Sequence, residues 1–210
     1  MKLFIRTMIQ QIRYYFYKIR YIFIKPKYPS NQDNKVLIHL GCGEIDSPGY
    51  INIDSRPFAH VHNVHDVCDL PFLGNNFADL IYSSHTLEHV SYIKLAKVIR
   101  EWRRILKKGG VLRIGVPDFD AILNIYRDNN NSIEVILPSL MGGQDYKQNF
   151  HYSVFNKKYL TSLLLECGFT EVRDWDPKKV DNHTFEDWTS SIYEVNGKVY
   201  HISLNLEAIK

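Results

Sequence analysis

The strongest constraint on this 210-residue chain is a succession of short apolar runs, each closing on a glycine, a carboxylate or a hydroxyl. Residues 36–40 (Val-Leu-Ile-His-Leu) run into Gly41-Cys42-Gly43, and residues 50–54 end on Asp54. Residues 61–67 pass Asp66, residues 78–84 end on Ser83-Ser84, and residues 110–116 form a fifth run. Nearly continuous apolar runs of this length are the signature of strands buried on both faces. Between the last two runs, Leu95, Val98, Ile99, Trp102, Ile105 and Leu106 recur at helical spacing. Ser91 is the expected cap of that helix and Gly109-Gly110 its stop. A second helix is predicted over residues 156–167, with Tyr159, Leu160, Leu163 and Leu164 inward and Gly168 as terminator. Strands near residues 169–175 and 198–209 complete the series. Strands alternating with helices predict an α/β fold: a doubly wound, mostly parallel sheet of seven strands, covered on both faces. Such sheets bind ligands at the carboxyl ends of their strands, where Gly41, Gly43 and Asp54 converge.

Charge divides the chain in two. Residues 1–32 hold seven of the 26 basic residues and no acid, which leaves 19 basic against 23 acidic residues in the body. Nucleic-acid binders carry their positive excess on the folded body, so DNA and RNA are not expected partners. Arg6, Arg13, Arg20 and Lys27 recur every seven positions, while Phe4, Met8, Ile12, Phe16, Ile19 and Phe23 form an apolar stripe. Residues 1–28 are therefore expected to be a basic amphipathic helix, with residues 29–35 a linker and 36–210 the folded domain. Residues 2–24 suit an anionic membrane surface, and equally a protein partner. Neither a spanning helix nor a secretory signal is expected. Three cysteines without a CxxC pair argue against a disulfide framework or structural zinc, which places the protein in the cytoplasm, at the inner face of the membrane if the helix docks there.

A Gly-x-Gly after a strand first suggests a dinucleotide. Here Asp46 stands where the third glycine belongs, Asp54 comes too early, and residues 45–50 leave no room for the helix that a pyrophosphate needs. A nucleoside without phosphates asks less: glycines beside its tail, a carboxylate for its diol and an acceptor for its amine. Gly41/Gly43, Asp54 and Asp66 meet that list in chain order.

The motifs His39-Leu40-Gly41-Cys42-Gly43, Ile51-Asn52-Ile53-Asp54 and Asp66-Val67-Cys68-Asp69-Leu70-Pro71-Phe72 are followed by Ala78-Asp79-Leu80-Ile81-Tyr82-Ser83-Ser84-His85-Thr86-Leu87-Glu88-His89. With residues 102–110 and 166–169 they resemble a class I S-adenosylmethionine-dependent methyltransferase over residues 35–175. The type resembled is the small Leu-Gly-Cys-Gly one, often encoded with cell-surface polysaccharide enzymes. The resemblance implies a Rossmann-like sheet and S-adenosylmethionine as cofactor. It implies that Asp54 binds the ribose, that Asp66 and the Val67 amide bind the adenine, and that Gly41 and Gly43 flank the methionine portion. His39, Cys42 and Ser84 complete the expected cofactor set. Two departures stand out: His39 occupies the family's usual acidic position, and the first crossover is too short for a helix.

A hydroxyl acceptor benefits from a base, and histidine is the usual one near neutral pH. His85, His89 and His151 are the catalytic candidates: the first two just past the fourth strand and four apart, the third in a glycine-bearing loop. On a helix His85 and His89 would share a face. With Glu88 they could also ligate a metal, though none is assigned. Ser83-Ser84-His85-Thr86 stands where amino-methylating families carry Asn/Asp-Pro-Pro-aromatic, which favours an oxygen acceptor. The expected function is O-methylation of a small molecule or glycan in polysaccharide biosynthesis. The alternative is a non-catalytic methyltransferase-like subunit docked on a membrane enzyme.

Overall fold

The structure is a computed structural model that describes residues 33–210 throughout and, before them, residues 8, 12, 15–17, 19, 20, 23, 24 and 27–31. Strands β1 (Leu37–Leu40), β2 (Tyr50–Asp54), β3 (Asn63–Val64), β4 (Ala78–Ser84) and β5 (Leu106–Pro117) are joined by β6 (Glu171–Asp174) and β9 (Ser203–Ile209) in one sheet. Its order is β3-β2-β1-β4-β5-β9-β6; the first five are parallel and β9 runs antiparallel to both neighbours. A separate hairpin pairs β7 (Ile192–Val195) with β8 (Lys198–His201). The expected strand over 198–209 is thus two strands of different sheets. The expected third strand shrinks to two residues.

Side-chain alternation divides the core. Ile38, Leu40, Ile51, Ile53, Ile81, Leu112 and Ile114 pack with helices α1 (Leu95–Ile105) and α4 (Lys157–Glu166). Trp102 of α1 is fully buried and donates its indole N–H to the Val67 carbonyl at 2.8 Å. Helix α4 is capped by Asn156, whose side chain accepts from the Tyr159 amide. The cap expected of Ser91 is absent: α1 starts at Leu95, and Ser91 instead accepts the Lys94 amide in the preceding turn.

On the opposite face Leu37, Tyr50, Leu80 and Tyr82 meet Trp175, Val180 and Phe185. The cover here is segment 175–190, irregular apart from one 3₁₀ turn at Trp188–Ser190. Both faces are covered, and among the described residues α-helices cover the first. Two helices were not expected from the sequence: α2 (Phe119–Asp128), capped by Asp118 and as long as α4, and the five-residue α3 (Leu137–Met141).

The expected N-terminal helix falls partly outside the described residues, as do Phe4, Arg6 and Arg13. At the described positions Met8, Ile12, Phe16, Ile19 and Phe23 the backbone is helical and the side chains are exposed. Tyr28 accepts a hydrogen bond from Asn63 at 2.9 Å. Among the described residues, no helix is long and apolar enough to cross a membrane.

Candidate active site

Parallel strands β1 and β4 end side by side, so their outgoing loops face each other across one cavity of about 600 Å³. Ligand cavities span roughly 300–1,000 Å³, which this one satisfies. On the β1 side, Gly41 has φ +70°, and a Cβ there would lie 2.2 Å from Thr86 Oγ1. No side chain fits that approach, which is why the turn is Gly-Cys-Gly. Asp54 braces the turn by accepting the Gly43 amide at 2.7 Å on one oxygen and the Arg56 amide at 2.7 Å on the other. Each oxygen keeps a further lone pair, so the carboxylate can still accept from a diol. The Arg56 guanidinium lies 4.4 Å from the Tyr146 ring centroid, joining the β2 end to the 142–151 loop.

His39, Gly41, Cys42, Gly43 and Ser84 of the expected cofactor set line the cavity. Asp54, Asp66 and Val67 do not. Asp54 is buried behind the turn, the exposed Asp66 accepts the Cys68 amide, and Val67, expected to act through its amide, is buried with its carbonyl accepting from Trp102. Burial holds the His39 imidazole down at about 3, so it is neutral; its Nδ1 lies 2.7 Å from Ser47 Oγ. Burial pushes the Cys42 thiol well up, which keeps it an unreactive packing group.

At the inner end the three candidate histidines meet. The segment after β4 is not an α-helix. His85 sits on left-handed backbone (φ +47°), and a single 3₁₀ turn, Leu87–His89, follows. The histidines therefore converge through a strained turn, not a shared helical face. His85 Nδ1 lies 3.4 Å from Glu88 Oε1, and its Nε2 lies 3.1 Å from Ser203 Oγ. His151 arrives from the long loop because the Tyr152 and Ser153 amides both donate to the Glu88 carbonyl. Its own amide donates to Met141. The loop turns at Gly142 (φ +79°), where a Cβ would meet the Asn149 carbonyl oxygen at 2.5 Å. The His89 and His151 rings stand 4.9 Å apart.

Burial sets the electrostatics. It raises the Glu88 carboxyl to about 8 and lowers His85 and His151 to about 4, with His89 adding to the shift of His151. His89 is lowered as well, again by burial. Asp187 and Trp188 also line the cavity, and sequence reasoning missed both. They lie in the irregular segment, where no periodicity marks them. Asp187 bonds the Tyr82 hydroxyl and accepts the Thr189 amide at 2.9 Å. Trp188 is exposed at the rim, 6.1 Å from the His85 ring.

Residues 47–114 match the family described as a methyltransferase domain. Among solved structures, the chain is similar to an S-adenosylmethionine-dependent methyltransferase of Archaeoglobus fulgidus at 15% identity and TM-score 0.53, covering 98% of this chain and 94% of that one. One from Methanosarcina mazei gives 17% identity and TM-score 0.52, covering 90% and 96%. A putative methyltransferase of Haloferax volcanii, solved in complex with a methyltransferase activator, gives 13% and 0.50, covering 97% and 93%. Among curated proteins, none matches the chain. The matched segment covers about a third of the chain, and the structural likenesses show its fold, which is that of S-adenosylmethionine-dependent methyltransferases.

Proposed function

We propose that this protein methylates a hydroxyl of a sugar or related small molecule. The observation that carries this reading is one cavity lined by both the glycine turn and three imidazoles. S-adenosylmethionine, when bound, supplies a sulfonium methyl group that an oxygen nucleophile displaces. The Gly41–Gly43 turn would hold its methionine portion within the cavity; Asp54, Asp66 and the Val67 amide lie beyond the cavity wall, and would take the ribose and adenine only where the cofactor extends past it. The chain's own task is to position the acceptor and take its proton. His85, His89 and His151 line the cavity, and one of their ring nitrogens receives the proton. Trp188 and Tyr146 offer flat apolar faces to a sugar ring, and the acidic body suits a small acceptor better than a nucleic acid.

Residues 2–24 are read as resting on an anionic membrane at its cytoplasmic face, where polysaccharide acceptors are assembled. Support comes from the seven cations without an acid in residues 1–32 and from the exposed apolar side chains at positions 8, 12, 16, 19 and 23. A second reading, a non-catalytic partner subunit, is favoured by Asp54 already bonding two amides and by a neutral His39 in the usual acidic position.

Calorimetric titration with S-adenosylmethionine separates the two. The enzyme reading requires binding, followed by transfer of labelled methyl to sugar acceptors as an alkali-stable ether. No binding at millimolar cofactor would leave the subunit reading standing.

A further inference from the structure

Glu88, His89 and His151 place one ligand atom each within 4.8 Å of one another at the inner end of the cavity. Glu88 is 1% exposed, yet neither carboxylate oxygen has a hydrogen-bond partner. A buried carboxylate without donors is costly unless something positive completes it. The nearest nitrogens, His85 Nδ1 at 3.4 Å and His151 Nε2 at 4.0 Å, stand too far or too badly angled to do so as hydrogen bonds. Within the ligand set, His151 Nε2 stands 4.0 Å from Glu88 Oε1, and a side-chain shift of about half an ångström would bring it to the roughly 3.4 Å that separates two donors each about 2.1 Å from one ion at the tetrahedral angle.

The imidazoles are already oriented for that role. His89 Nδ1 donates to the Phe150 carbonyl at 3.1 Å, and His151 Nδ1 donates to the Ser139 carbonyl at 3.1 Å. Each bond fixes the tautomer and leaves the Nε2 lone pair free. Metal-bound histidines are held through their second nitrogen in this way. The 3₁₀ turn supplies two of the three ligands, and the backbone ties from residues 151–153 lock the third against it.

We propose that Glu88, His89 and His151 form a site for one divalent cation of the zinc class, open on the side that faces the cavity. Two imidazoles and one carboxylate are the donors of open zinc sites, and imidazole selects against magnesium. Binding stands on this geometry alone. Its use in catalysis rests on the methyl-transfer reading: an ion there lowers the pKa of a coordinated acceptor hydroxyl. His85, outside the ligand set, is then the imidazole left to take the proton.

Chelator-treated full-length protein titrated with zinc chloride should bind one equivalent at micromolar or tighter Kd. Glu88→Gln, His89→Gln and His151→Gln should each weaken binding at least tenfold. Glu88→Gln replaces a buried carboxyl that has no hydrogen-bond partner with a neutral side chain of the same size, so in chelator it should melt close to wild type, while losing the rise in Tm that zinc confers. Thermal melts identify any variant that fails to fold, and the others then decide. Absence of zinc binding by folded wild type, or undiminished binding by every folded variant, overturns the site. Titration of the zinc-free protein with S-adenosylmethionine, run in parallel, tells failure of this site from failure of the methyltransferase reading.

Discussion

His85 reaches Glu88 from a left-handed backbone position, its Nδ1 3.4 Å from Glu88 Oε1. Non-glycine residues rarely hold that conformation, and where they do the strain tends to serve a site. Asparagine tolerates it without an imidazole. His85→Asn should therefore fold as wild type and retain cofactor affinity while turnover falls on the order of 10²–10⁴-fold. Single-turnover assays beside calorimetry check this; turnover within a few-fold of wild type would remove His85 from proton transfer.

Asp54 couples the glycine turn to the β2 end. Asp54→Asn preserves volume but forfeits charge-assisted bonds worth roughly 1.5–3 kcal/mol. Affinity for S-adenosylmethionine should drop at least tenfold, and Tm should fall as well, because the amide has one oxygen where the carboxylate accepts two backbone N–H groups. Equal affinities would place the ribose elsewhere.

The buried neutral His39 makes stability pH-dependent. Its folded-state value, about 3, lies below the ordinary 6.5, so the unfolded chain takes up a proton first as pH falls. Stability is complete above about 6.5 and declines below it, by about 2 kcal/mol between pH 7.5 and 5 from this one residue. Urea unfolding of wild type and His39→Gln at both pH values should show a smaller acid loss in the variant by that amount. Equal losses would refute the assignment.

Across β5 and β9, Arg113 donates from Nε to Glu207 Oε1 at 2.9 Å and approaches it with a second nitrogen at 2.8 Å, while Arg173 takes the other oxygen. Removing one partner of such a buried pair costs about 3–5 kcal/mol. Glu207→Ala should lose that much in urea unfolding; a loss under about 1 kcal/mol would show the pair to be solvated.

Deleting residues 1–27 retains Tyr28 and its bond to Asn63. The shortened protein should stay folded but leave anionic vesicles, and binding by the full chain should weaken as salt rises, since each surface cation contributes about 1 kcal/mol at low ionic strength. If the truncated protein aggregates or unfolds, the apolar stripe packs on protein.

The parallel strands and both long helices were legible because their signals are local. Residues 37–40 and 95–105 carry their own periodicity, although α1 starts without the cap expected of Ser91 and ends at Ile105, before the expected stop Gly109-Gly110, which lies in β5. The short strand at Asn63–Val64 and helix α2 were harder. The first pairs over two residues, and the second is specified by the single cap Asp118 after a long strand. Near the site, His85, His89 and His151 could be named from their positions after strand ends or in a long loop. Their meeting could not, because it depends on bonds from residues 152 and 153 to Glu88 some sixty positions away. Asp187 and Trp188 were invisible for a related reason: segment 175–190 is ordered by the aromatic face it covers, not by a repeat of its own.

That same segment has two duties. Phe185 stacks on His39 and closes the core, and two residues later the chain supplies the outer wall of the cavity with Asp187 and Trp188. Selectivity and robustness are therefore written into one ribbon. Lengthening it to admit a bulkier acceptor would unseat the aromatic plug beneath, whereas exchange of the outward-facing Trp188 leaves the plug in place. Natural or engineered variation in what this pocket accepts has its cheapest route at that one side chain.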